Sequence, residues 1–134
     1  MQKKFLFFAV FVICFFSITA ALHADSGNFQ PVVQGQVLAA PIDLKKLDKS
    51  IRLSLAQNNW RLVKEVPGEL YAHFEKSEGI VSIDIRIKYS DAGYTLEYVD
   101  SKGLDANLKR KTIHRNYPRW IAAIDRSIYT KYLE

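Results

Sequence analysis

Between residues 81 and 89 every second side chain is apolar: Val81, Ile83, Ile85, Ile87 and Tyr89 alternate with Ser82, Asp84, Arg86 and Lys88. A period of two marks an extended strand with one face buried and one wet. Such a strand belongs in a sheet covered on one side by a second layer. The flanking segments repeat the pattern. Leu70, Ala72 and Phe74 alternate with Glu69, Tyr71, His73 and Glu75, and Tyr94, Leu96 and Tyr98 alternate with Thr95, Glu97 and Val99. Ser77-Glu78-Gly79 and Ser90-Asp91-Ala92-Gly93 supply the turns. Ahead of them Trp60, Leu62, Lys64 and Val66 alternate with Arg61, Val63 and Glu65 up to Pro67-Gly68. The spacing predicts an antiparallel four-strand meander centred on residues 81–89.

A helix precedes the meander and another follows it. Asp43 suits an N-cap, and Leu44, Leu47, Ile51 and Leu55 then share one helical face until Asn58-Asn59. A second helix is expected from Tyr117-Pro118, because proline in the first turn gives up no hydrogen bond the helix would use. Its apolar stripe is Trp120, Ile121, Ile124, Ile128 and Tyr132. The expected fold class is α+β, a two-layer domain of helix, four-strand meander and helix, with a short N-terminal strand near residues 32–38 as an option. Residues 102–111, with few apolar side chains, are expected to be a loop.

The N-terminus has a different character. Lys3 and Lys4 precede an apolar run, and small residues follow at Thr19-Ala20-Ala21 and Ala24. This is the layout of a secretory signal peptide over residues 1–24, with a flexible segment at 25–40 and a single domain at 41–134. The run from Phe5 to Leu22 is 18 residues, near the low end of the about 17–25 that span a bilayer, so an uncleaved inner-membrane anchor is the alternative to a periplasmic or secreted location. Cys14 lacks the small residues expected before a lipid-modified cysteine. It is the one cysteine of the chain, and cleavage removes it with His23. The formal charge of +5, from 19 Lys and Arg against 14 Asp and Glu, then becomes +3 as Lys3 and Lys4 leave.

Catalytic signatures are sparse. There is no Walker loop, no Gly-x-Gly-x-x-Gly, no Gly-x-Ser-x-Gly elbow and no His/Cys metal spacing, so neither cofactor nor metal is expected. Ser101, His114 and Asp100 or Asp105 compose one imaginable hydrolase triad, although Asp100-Ser101 at a strand end more simply bonds its own backbone. His73, Glu75 and Glu78 are expected to be solvated.

The densest interaction chemistry is Lys109, Arg110, Lys111, His114, Arg115, Tyr117 and Arg119, close to Trp120. Cations beside a helix N-terminus suit phosphate or carboxylate. The bland reading of the same stretch is a solvated charge run over core aromatics. An exported chain does not meet nucleic acid, so the expected partner is an envelope protein or an anionic envelope component: lipid, lipopolysaccharide or peptidoglycan. The expected function is a non-enzymatic binding or adaptor domain, with a purely structural domain as the other reading.

The segment Ile113-His-Arg-Asn-Tyr-Pro-Arg-Trp-Ile121, taken with Trp60 and residues 83–89 and 96–101, resembles a family of small bacterial envelope proteins described as lipoproteins or secreted proteins of unknown function. Its pattern is Ile-His-x-x-Tyr-x-x-Trp-Ile, and the resemblance covers residues 44–133. It implies a helix, a strand meander and a closing helix, and no established activity. This chain departs from it in lacking a lipid-acceptor cysteine and in carrying Pro118 where Asn is more usual. The element order also resembles the helix-grip domains of accessory lipoproteins in outer-membrane β-barrel assembly, an architectural analogy that carries no function.

Overall fold

A computed structural model describes residues 26–134; the leader and its cysteine lie outside the described residues. In chain order the elements are β1 (Ser26–Asn28), β2 (Val32–Gln34), α1 (Leu44–Gln57), β3 (Arg61–Val66), β4 (Glu69–Lys76), β5 (Val81–Ser90), β6 (Gly93–Lys102), β7 (Thr112–His114) and α2 (Asn116–Leu133). The class is α+β, but the sheet is not a four-strand meander. It has five antiparallel strands in the order β2-β6-β5-β4-β3, and β1 pairs with β7 in a separate two-stranded ribbon. The segment expected to be a flexible tether therefore supplies two strands, and Phe29 and Leu38 are buried from it.

Alternation decides the two faces. Leu70, Ala72, Ile83, Ile85, Ile87, Tyr94 and Leu96 turn to one side and are buried together with Leu47, Ile51, Leu55, Ile121, Ile124 and Ile128 from the helices. Three inward tyrosine and phenylalanine side chains reach the helices directly. The Tyr89 hydroxyl donates to Asp48 of α1 at 2.7 Å, the Tyr94 hydroxyl donates to Asp125 of α2, and Phe74 packs against Trp120 of α2 with centroids 5.1 Å apart. Burial together with the bond to Asp48 pushes the Tyr89 phenol up to about 12. Asp43 caps α1 by accepting the Lys46 N–H at 3.0 Å, and its own N–H donates to the Tyr132 hydroxyl at 2.9 Å, joining the start of α1 to the end of α2. The two helices are thus antiparallel neighbours.

Two bulges break the alternation. In β3, Leu62 faces Ala72 but Lys64 faces Tyr71, so the register skips at Val63. Lys64 and Val66 consequently leave the side that Trp60 and Leu62 occupy, and Glu65 turns toward the helices to meet Arg52. In β6 the skip lies between Tyr98, opposite Ile85, and Asp100, opposite Asp84. On α1, Leu44 is 46 % exposed, and Ser50 and Ser54 take the buried positions beside Leu47 and Ile51.

Gly35, just past β2, fixes the junction between the edge strand, β6 and α2. Its N–H donates to the Tyr94 carbonyl at 2.9 Å, and the Tyr94 ring lies so close that a Cβ at 35 would fall inside van der Waals distance. The next residue, Gln36, donates to Asp125 from both its backbone and its side-chain nitrogen. Gly35→Ala is expected to lower the unfolding free energy in urea by about 1–3 kcal/mol, the cost of overpacking a filled site. A change below about 0.5 kcal/mol, within the usual scatter of surface substitutions, would show that the ring is not held there.

Candidate functional site

The basic segment begins where β6 ends. Gly103 has a positive φ of 74°, and a Cβ there would collide with the Ile80 carbonyl, so the chain can only leave β6 against the β4–β5 turn with glycine at this point. Leu104 then plugs the core at 2 % exposure. Asn107 and Thr112 exchange two backbone hydrogen bonds, 2.8 and 3.1 Å, and the Asn107 side-chain oxygen accepts the Arg110 N–H at 2.9 Å. These bonds close residues 108–111 into a four-residue tip in which Leu108, Lys109, Arg110 and Lys111 are all exposed. The Lys111 carbonyl accepts the Phe29 N–H at 3.1 Å, which holds the tip against the N-terminal segment.

Beyond the tip the chain pairs through β7 and starts α2. His114 is half-buried, and its Nδ1 accepts the N–H of Asn116 at 3.2 Å, covering one of the free donors at the start of α2. Arg115 and Arg119 are exposed, whereas Tyr117 is 2 % exposed. The Tyr117 ring meets Phe29 and Tyr98 edge-on, at centroid distances of 5.7 and 5.6 Å, and burial pushes its phenol well above the usual range. Of the expected binding residues, Lys109, Arg110 and Lys111 form one surface, Arg115 and Arg119 flank the helix start, His114 bonds the first turn of α2 and Tyr117 lies in the core. Among the described residues, no ion pair involves Lys109, Arg110, Lys111 or Arg119.

The imagined triad is not brought together by hydrogen bonds. Ser101 Oγ is bonded to the Tyr98 hydroxyl at 2.7 Å, and the Ser101 N–H donates to Asp100 at 2.8 Å, the local turn bonding expected of that pair. Among the described hydrogen bonds, none joins Ser101, Asp100 or Asp105 to His114.

The uncovered face of the sheet carries a network missed in the sequence. The β4–β5 register sets His73 opposite Asp84. His73 Nδ1 lies 2.7 Å from Asp84 and Nε2 lies 2.9 Å from Glu75, so both ring nitrogens are engaged. Beside them Arg86 Nε donates to Glu97 at 2.6 Å, and Lys64 sits 5.0 Å over the Tyr71 ring. Among the described residues no group of three or more His, Cys, Asp or Glu is placed to hold a metal. A cleft of about 740 Å³ opens at the other end of the sheet, between residues 34–38 and the β3–β4 and β5–β6 turns. The hydroxyls of its two tyrosines, Tyr89 and Tyr94, are already committed to Asp48 and Asp125.

Hydrogen bonding to Asp84, and then to Glu75, raises the His73 pKa. The imidazolium donates to both carboxylates and the neutral ring to only one. Stability from this clasp is therefore complete below the unfolded histidine pKa of about 6.5 and is lost as pH rises through the higher folded value. His73→Gln is expected to cost up to about 1 kcal/mol at pH 5.5 and less at pH 9, measured by urea unfolding at each pH. An equal cost at both would contradict a charged clasp.

Compared with protein-family models, with curated proteins and with solved structures, the chain matches none, and its function is argued from this geometry.

Proposed function

We propose that the chain is a non-enzymatic binding or adaptor domain of the bacterial cell envelope, periplasmic once residues 1–24 are removed, whose basic end contacts an anionic envelope component or the acidic face of an envelope protein. One observation carries the reading. Lys109, Arg110 and Lys111 stand exposed on a tip closed by the Asn107–Thr112 pair, with no ion pair among the described residues. The cations of the open sheet face behave differently, since Arg86 and Lys88 are both turned toward Glu97.

The start of α2 adds support. The first turn has no acidic residue. Arg119 opposes the positive end of the helix dipole, which disfavours a cation there by about 0.3–1 kcal/mol. An anion bound at this end would offset that cost. The aromatic part of the expected surface has withdrawn into the core with Tyr117, so the working surface is narrower and more purely electrostatic than the sequence implied. The bonding of Ser101 and His114 to other partners supports the non-enzymatic reading.

Lys109→Glu with Arg110→Glu and Lys111→Glu is expected to abolish retention on envelope fractions at low salt while moving the thermal midpoint by no more than a few degrees. Retention equal to the parent's would remove the tip from the account.

A further inference from the structure

We infer that the partner of the basic end is an anionic lipid bilayer, with Leu108 as the side chain that enters the headgroup layer; this rests on the binding reading above and names its ligand. Peripheral attachment to such a surface needs two signals, cations for the headgroups and an apolar group to bury. The tip carries both. Leu108 is 62 % exposed next to Lys109, although four residues earlier the same loop buries Leu104 to 2 %. The loop is thus able to bury a leucine, and it holds this one out.

A second apolar side chain stands at the same end. Ile80, in the β4–β5 turn, is 68 % exposed, and its carbonyl lies against Gly103, where the basic loop leaves the sheet. Within the loop at 103–111, three cations, Lys109, Arg110 and Lys111, stand against one acidic residue, Asp105.

The features that anchor protein interfaces are weaker here. Buried interfaces depend on aromatic or arginine side chains seated in pockets. Tyr117 is already used in the core, and Trp120 is half-buried with Lys76 lying 5.8 Å over its ring. What is left is charge around two exposed aliphatic side chains, Leu108 and Ile80, which suits a fluid anionic surface more than a shaped protein pocket.

The test uses the chain from Asp25 onward, since the core runs from Phe29 to Ile128 among the described residues, with a cooperative thermal transition required of every variant. The parent should co-sediment with vesicles of phosphatidylglycerol and phosphatidylcholine and not with phosphatidylcholine alone. Leu108→Asn should weaken vesicle binding about tenfold, the effect of leaving one leucine in water, while its binding to heparin stays within about twofold of the parent's. The triple charge reversal should weaken both by about a hundredfold or more, at roughly fivefold per cation. A fluorophore on Leu108→Cys should shift to the blue on phosphatidylglycerol vesicles, and one on Thr130→Cys should not. Failure of the parent to bind those vesicles, or equal vesicle binding by Leu108→Asn, would overturn the lipid assignment. In that case a triple variant that loses heparin leaves the basic binding surface standing. A triple variant that binds vesicles and heparin like the parent would overturn both.

Discussion

The ring of Phe29 holds together the end of the molecule that carries the basic tip. It lies edge-on to Tyr98 of β6 at 4.9 Å and to Tyr117 of α2 at 5.7 Å, and those two rings meet each other at 5.6 Å. Three segments far apart in sequence are tied at one point. Burying a phenylalanine contributes about 1.5–3 kcal/mol, and each edge-to-face ring pair adds about 0.5–1.5 kcal/mol. The backbone around Phe29 then has little freedom. Its N–H meets the Lys111 carbonyl, Pro31 accepts the Tyr98 N–H at 2.7 Å, and the strands before and after it pair with β7 and β6. The docked N-terminal segment is bonded directly to the basic tip through Phe29 and Lys111.

Much of the frame was legible from period and punctuation. The inward sets of β4, β5 and β6 and the Asp43 cap follow from local pattern, as does the start of α2 within one residue of Tyr117-Pro118. The optional strand near residues 32–38 is β2, whereas β1 and β7 were harder, because a three-residue strand has no periodicity to read and its pairing is fixed by distant partners. The bulges at Val63 and Val99 were invisible for a related reason: an extra residue in a strand costs little locally, and only the partner strand reveals which side chains change face. That is how Glu65 came to meet Arg52.

The site was legible in charge and illegible in burial. Lys109, Arg110 and Lys111 stand out in any reading of the sequence, but Tyr117 looked like part of the same surface. The spacing of Tyr117, Ile121, Ile124 and Ile128 held the correction, since steps of four, three and four residues share one helical face. Trp120 lies at the rim of that face, not at its centre. His73 shows the complementary limit. Its own strand said "wet", and only the hairpin register, set by the turn at residues 77–80, revealed Asp84 across from it. Charges on the open sheet face are largely satisfied by one another, whereas Lys109, Arg110 and Lys111 at the tip make no ion pair among the described residues.

Phe29 holds the tip in its closed form before any ligand arrives. Amide hydrogen exchange of the free chain tests this directly. The N–H groups of Phe29, Asn107 and Thr112, bonded to Lys111, Thr112 and Asn107 respectively, should exchange at least about a hundredfold more slowly than in an unstructured chain. Exchange of these three amides at unstructured rates, with β5 still protected, would show that the tip forms only on binding and would contradict the account.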